Sequence, residues 1–382
     1  MKKIDDLLIQ YTENDDLPSA IAGVANAQGV LYVGAAGKRS LNETQSMSAD
    51  AIIDIASMTK AVTTVATLQL VETGAIDLDE PINTYLPQLK ELKVLEGFDS
   101  NNKPRLITPN TKPTTRQLLT HTSGYVYEIW NADALRYVTS GHVGSLFAPQ
   151  SDGLMAPLAF SPGERWEYGI GIDWAGILIE TISGKELDTY FAENIFDPLE
   201  MHDTFFSVPE NKVSRRSSMY SRSPEGLITV PHSPDGGSGG GGLNSTIGDY
   251  LSFLRMLLND GTLDNERILK PATVRSMFEN HIGELQVAAG KTQRPALSND
   301  FDLTFNTPAK WGLGFLLHEK QTPAGRTAGS ASWAGLFNTY FWIDRETDLC
   351  AVIGSQLLPF FDESAIAMLK DFEKTVYDYY AN

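Results

Sequence analysis

Ala51-Ile52-Ile53-Asp54-Ile55-Ala56-Ser57-Met58-Thr59-Lys60 is the stretch on which the fold turns. Its first five residues, apolar apart from Asp54, read as a short strand, and from Ser57 a helical pattern runs until Gly74. A strand feeding straight into a helix puts Ser57 at the helix start and Lys60 one turn later on the same face. The ordinary task of a serine at that place is to cap the helix. A capping serine is best followed three residues on by Glu or Gln, whereas Lys60 has the wrong sign for the positive end of the helix dipole. That dipole and burial both favour the neutral amine, and a neutral amine beside a hydroxyl can take its proton.

Outward from this junction, the pattern predicts a first helix over 2–13, ending before Pro18, and two strands over 20–25 and 30–35 joined at Gln28-Gly29. Residues 76–240 are mixed, with helices near 114–120, 173–183 and 185–197 between loops rich in Pro, Gly and Asn. The run Asp235-Gly236-Gly237-Ser238-Gly239-Gly240-Gly241-Gly242 is the sharpest break in composition, and reads either as a linker or as a tight crossing between domains. Asn244-Ser245-Thr246 then caps a helix through Leu258 that Gly261 ends. Strands are predicted over 311–318, 326–332, 336–343 and 349–355, and a final helix over 362–380. The expected fold class is α/β (α+β): one antiparallel sheet from both termini, flanked by helices, with a mostly helical inserted domain. The expected boundaries are 1–55 with 245–382 for the sheet domain and 56–244 for the insertion.

The 382 residues are 42% hydrophobic and 20% charged, an ordinary globular balance for one large or two closely joined domains. With 30 Lys and Arg against 48 Asp and Glu, the formal charge is −18, which argues against nucleic acid or an anionic membrane as partner. The one cysteine, Cys350, sits in the apolar run Leu349-Cys350-Ala351-Val352-Ile353 and reads as a buried strand thiol. Acidic residues interrupt the first sixteen positions where a signal peptide needs an apolar core, and no window reaches membrane-span length, so a cytoplasmic location is expected.

Other nucleophile patterns are weaker. Gly236-Gly237-Ser238-Gly239-Gly240 matches the G-x-S-x-G elbow in letters but lacks the strand before it and the helix directly after it. Ser100 and Lys103 repeat the Ser-x-x-Lys spacing in a polar loop, where nothing fixes the two side chains. None of the six histidines has neighbours that mark a Ser-His-Asp triad. Two further elements could serve Ser57. In Ser161-Pro162-Gly163-Glu164-Arg165-Trp166-Glu167-Tyr168-Gly169, a turn presents the Tyr168 phenol ahead of a helix; in Ser332-Trp333-Ala334-Gly335-Leu336, a glycine at the head of a strand admits close approach and leaves a backbone N–H for an oxyanion.

Ser57-Met58-Thr59-Lys60, Leu118-Leu119-Thr120-His121-Thr122-Ser123-Gly124, Pro162-Gly163 with Tyr168, Gly240-Gly241-Gly242-Leu243-Asn244-Ser245-Thr246 and Trp333-Ala334-Gly335 follow one another in order. Together they cover almost the whole chain, and in this order it resembles the serine β-lactamase-like superfamily of class C β-lactamases and DD-peptidases. Within it, the chain looks most like the family VIII carboxylesterases and related acyltransferases. The resemblance implies a site in the cleft between two domains, a structural role for His121, and a glycine stretch lying at the domain junction. Two departures from the β-lactamase pattern stand out. Ile170 replaces an asparagine two residues after the tyrosine, and Trp333 replaces the lysine of a Lys-Thr-Gly strand. Arg326, Arg294 and Lys310 are candidates to supply the missing charge.

The resulting expectation is a carboxylesterase working through a Ser57 acyl-enzyme, with a small-molecule ester as its partner and neither metal nor organic cofactor. Lys60 and Tyr168 both qualify as the base, and Tyr168 as the proton donor to the leaving alkoxide. The backbone N–H groups of Ser57 and Leu336 form the expected oxyanion hole. Tyr127, Trp333 and Gly335 are the expected substrate contacts, among pocket walls drawn from Tyr125, Tyr127, Trp130, Trp166 and Trp333 that would favour short to medium apolar acyl groups. The competing readings are a β-lactamase or D-amino-acid peptidase, an acyltransferase to a specific alcohol, and an idle ligand-binding relative.

Overall fold

Both ends of the chain enter one sheet. The computed structural model describes residues 2–13, 16–42, 44–148, 152–232 and 236–380, so Ser233, Pro234 and Asp235 at the head of the glycine run lie outside the described residues. Helix α1 (Lys2–Glu13) leads into β1 (Ser19–Ala25) and β2 (Val30–Gly37), a hairpin as predicted. The later strands are β3 (Ala309–Trp311), β4 (Leu316–His318), β5 (Ala331–Gly335), β6 (Thr339–Asp344) and β7 (Leu349–Gly354). They stand in the order β3-β4-β5-β6-β7-β1-β2, antiparallel throughout, with β1 closing on β7 from Ile21 opposite Gly354 to Ala25 opposite Cys350.

Every residue of β5, β6 and β7 is buried, because helices cover both faces. Successive strand residues point to opposite faces. Phe341 meets Tyr250 of α4 (Ile247–Leu258) with ring centres 5.5 Å apart, and its neighbour Trp342 meets Phe372 of α5 (Glu363–Tyr380) at 5.6 Å. Cys350 lies fully inside this layer, where burial pushes its thiol up and leaves it unreactive.

The chain leaves and re-enters the sheet region at one place. Ile53–Asp54 pairs antiparallel with Asn244–Ser245, so the two crossings lie side by side. Between them α2 (Thr59–Glu72) runs almost wholly buried beside α3 (Gly171–Ser183). Three threonines of α2 tolerate this burial because their hydroxyls bond to protein carbonyls, Thr64 to Lys60 O at 2.8 Å, Thr67 to Thr63 O at 2.8 Å and Thr63 to Gly239 O at 2.6 Å. The inserted segment also carries two hairpins, Val94–Phe98 with Pro104–Ile107 and Met219–Ser223 with Gly226–Val230; the second pairs in parallel with Leu357–Leu358 of the C-terminal part.

Four predicted elements are corrected. The run 311–318 is a hairpin, not one strand, because Gly312-Leu313-Gly314 turns the chain with Gly314 at φ +83°. The strand placed at 326–332 starts only at Ala331, since Gly329 at φ +85° bends the preceding residues, and it runs on through Gly335. Leu336-Phe337-Asn338 then forms the turn that had been read as the start of the next strand. The helix over 185–197 is α-helical only over Leu187–Phe191 and widens to a π turn over Ala192–Phe196.

Candidate active site

Ser57 sits in the 3-10 turn Ala56–Met58 that feeds α2, entered through Ala56 at φ +44°. Neither this turn nor α2 has a side-chain cap, so the Ser57 hydroxyl is not spent on capping. It lies 3.1 Å from Lys60 Nζ. Lys60 is 1% exposed, and Nζ has two further contacts, the Tyr127 hydroxyl at 2.9 Å and the Gly240 carbonyl at 2.6 Å. The contacts of this buried amine are therefore all uncharged oxygens.

Tyr127 continues the network. Its hydroxyl lies 3.3 Å from Asp173 Oδ2, a buried carboxylate in the first turn of α3. Burial, then the charge of Asp173, hold the Tyr127 phenol well above its usual range, so it keeps its proton. Asp173 also accepts from the Gly240 N–H at 3.2 Å and from the Ser238 hydroxyl. The glycine run earns its composition here: a Cβ on Gly240 would stand 2.1 Å from Asp173 Oδ2, and one on Gly239 would stand 2.4 Å from the Ile172 carbonyl. It is a tight crossing between α2 and α3, and Ser238 serves a turn with Gly241 rather than a nucleophile elbow.

Tyr168 reaches the site through His121. The His121 carbonyl accepts from Glu167 N at 3.0 Å and its Nδ1 accepts from Gly169 N at 3.3 Å, clamping the tyrosine between them. Burial pushes His121 far down, so the ring stays neutral and can accept. The Tyr168 ring lies 4.8 Å from Trp333 and 5.4 Å from Trp130, with Lys60 Nζ 5.1 Å from its centre. Its buried hydroxyl has no hydrogen-bond partner among the described residues.

Ser57 and Tyr168 share a pocket of about 250 Å³ with Trp130, Trp333, Gly335 and Leu336. Phe301, Leu303 and Phe360 complete an apolar wall, and among the described residues no charged side chain lines it. β5 presses against the serine turn closely enough that a Cβ on Gly335 would stand 2.3 Å from the Ile55 carbonyl. The expected walls divide: Trp130 and Trp333 line this pocket, whereas Trp166 packs at a tilt against Trp311 with ring centres 5.3 Å apart. Tyr125 and Tyr127 line a neighbouring pocket instead. Tyr127 thus meets Lys60 through its hydroxyl and does not line the serine pocket.

The three cations proposed to replace the missing lysine are engaged elsewhere. Arg326 pairs with Glu373 at 2.8 Å and Arg294 with Glu128 at 2.6 Å, while Lys310 Nζ donates to the Gly283 and Leu285 carbonyls at 2.8 Å each. Ser100 and Lys103 are exposed in a hairpin loop. Sequence reasoning missed Asp173 and the Gly240 carbonyl. The available signal for the first was a lone acid in the apolar helix Gly171-Ile172-Asp173-Trp174-Ala175. Among the described residues, no cluster of three His, Cys, Asp or Glu side chains is placed to hold a metal ion, and no helix is long and apolar enough to cross a membrane.

Residues 4–371 match the Beta-lactamase family. Monacolin J acid methylbutanoyltransferase of Aspergillus terreus is 32% identical over 95% of this chain and 92% of its own length. Lovastatin esterase of Penicillium rubens is likewise 32% identical, over 95% of this chain and 94% of its own. The unliganded simvastatin synthase (LovD) of Aspergillus terreus superposes with a TM-score of 0.87 at 28% identity, covering 99% of this chain and 98% of that one. An antiparallel sheet closed by both termini, a Ser-x-x-Lys turn at its seam and full-length likeness to acyl-handling enzymes lead to one conclusion: this chain belongs to the Beta-lactamase family and is an enzyme of the serine β-lactamase-like fold.

Proposed function

We propose that the protein is a carboxylesterase that forms an acyl-enzyme on Ser57. The observation that carries this is the uncapped Ser57 hydroxyl 3.1 Å from a buried lysine whose other contacts are uncharged oxygens. Ser57 Oγ attacks the ester carbonyl and its proton passes to neutral Lys60. The backbone N–H groups of Ser57 and Leu336, at the same pocket, receive the oxyanion. As the tetrahedral adduct collapses, the unpartnered Tyr168 hydroxyl gives its proton to the leaving alkoxide and regains one from Lys60. Water then attacks the acyl-enzyme by the same steps in reverse. The uncharged, aromatic pocket suits short to medium apolar acyl groups on a small-molecule ester.

A second acceptor has a specific observation in its favour. The chain is as similar to a methylbutanoyltransferase as to an esterase, so an alcohol is proposed as a competing acceptor. Steady-state hydrolysis of p-nitrophenyl butyrate, repeated with added alcohols, separates the two; acceleration with ester product marks transfer, and unchanged turnover marks hydrolysis. The core assignment is tested by intact mass after quenching. Wild type should gain one acyl group on Ser57, and Ser57→Ala none; label on Ser100 or Ser238, or an acylated Ser57→Ala variant, refutes it.

A further inference from the structure

Lys60 Nζ has three outward positions, and the structure accounts for each. The Gly240 carbonyl can only accept, so at 2.6 Å it takes one N–H. The Tyr127 hydroxyl lies between two partners, Lys60 Nζ at 2.9 Å and Asp173 Oδ2 at 3.3 Å. Asp173 is surrounded by donors, the Gly240 N–H, the Ser238 hydroxyl and Tyr127, which is the setting of a carboxylate. The Tyr127 proton therefore goes to Asp173, and the Tyr127 oxygen faces Lys60 as an acceptor for a second N–H. In a neutral amine the third position is the lone pair, and what stands there is Ser57 Oγ at 3.1 Å.

We propose that Asp173 is a positioning residue: by holding the Tyr127 proton it turns the lone pair of neutral Lys60 onto the Ser57 hydroxyl. Asp173 touches neither the reacting atoms nor the serine pocket and acts only through Tyr127 and the Gly240 backbone. An asparagine there can offer its NH₂ to the Tyr127 oxygen. The tyrosine proton is then free to rotate onto the lysine nitrogen, where it occupies the lone pair that the serine needs. Burial keeps Tyr127 protonated, so the orientation of its hydroxyl is the quantity that Asp173 sets. This inference rests on the Ser57 acyl-enzyme reading.

The test is a double-mutant cycle on acylation. The first-order rate of acyl-enzyme formation from p-nitrophenyl acetate is measured by stopped flow and quenched mass spectrometry for wild type, Asp173→Asn, Tyr127→Phe and the double variant, with a thermal melt of each. Asp173→Asn should acylate about 10- to 100-fold more slowly, a part of the roughly 10²–10⁴-fold that a positioned base supplies, with the substrate dissociation constant changed less than about threefold. The double variant should be no slower than the slower single variant. Independent losses that multiply in the double variant, or an Asp173→Asn variant as fast as wild type, overturn the proposal. If Asp173→Asn does not fold, Tyr127→Phe decides: a wild-type acylation rate overturns the proposal, and slowed acylation at unchanged substrate affinity supports it. Should wild type itself form no Ser57 adduct, the catalytic reading fails first and this inference fails with it.

Discussion

Gly335→Ala probes how closely β5 and the serine turn are fitted. Its Cβ would stand 2.3 Å from the Ile55 carbonyl and 2.3 Å from Thr339 Oγ1, where ordinary contacts begin at 3.4 Å. The threonine can rotate away, but Ile55 is backbone and opens directly into the turn carrying Ser57. The strand and the turn must therefore separate by about 1 Å, the difference between those two distances. A displacement of about 1 Å stretches a hydrogen bond of roughly 2.9 Å beyond useful range. The donor lost is the N–H of Leu336, and removal of one oxyanion donor costs about 10²–10³ in rate. Overpacking adds about 1–3 kcal/mol of lost stability. The assay is the acylation burst with p-nitrophenyl acetate beside a thermal melt. Gly335→Ala should still bind ester and form a Ser57 adduct, only two to three orders of magnitude more slowly. A variant that acylates within threefold of wild type would show that Leu336 does not hold the oxyanion.

Because no cation among the described residues lines the serine pocket, nitrocefin and D-Ala-D-Ala peptides should turn over far more slowly than neutral esters. A charge-assisted hydrogen bond to a substrate carboxylate is worth about 1.5–3 kcal/mol, so Trp333→Lys should raise nitrocefin kcat/KM relative to ester by roughly ten- to a hundred-fold; comparable wild-type rates on both substrates refute this. Asp54, next to the serine turn, supplies a pH prediction. Burial pushes its carboxyl up, but the hydrogen bond from His232 at 3.0 Å and the Arg216 guanidinium at 2.8 Å outweigh burial and hold it below its usual value. A lowered folded-state pKa gives stability that is present above the unfolded value and lost as pH falls through the folded one. Arg216→Ala leaves the buried carboxylate with His232 alone and should cost up to about 3 kcal/mol at pH 7, a gap in melting temperature that narrows below about pH 4; a gap constant from pH 7 to pH 3 would refute the assignment.

Much of this site was legible because its chemistry is local. Ser57 and Lys60 lie three residues apart at a strand-to-helix junction, where chain geometry alone brings a hydroxyl and an amine together. The strands entering from both termini were readable from apolar runs, since a sheet covered on both faces has no polar alternation to obscure it. At 311–318 and 326–332, Gly314 and Gly329 at positive φ bend the chain inside stretches that local pattern marks as continuous strands. What surrounds the lysine was a different matter. Tyr127 lies 67 positions from Lys60 and Gly240 lies 180, while Asp173 reaches the amine only through Tyr127. Periodicity reports on neighbours within a few residues, so the amino-acid sequence by itself determined the sheet and the pairing of Ser57 with Lys60, the proposed nucleophile and base. The hydrogen-bond partners of that base were decided only by packing α2, α3 and the glycine run together, because each supplies a buried polar atom that the others must satisfy.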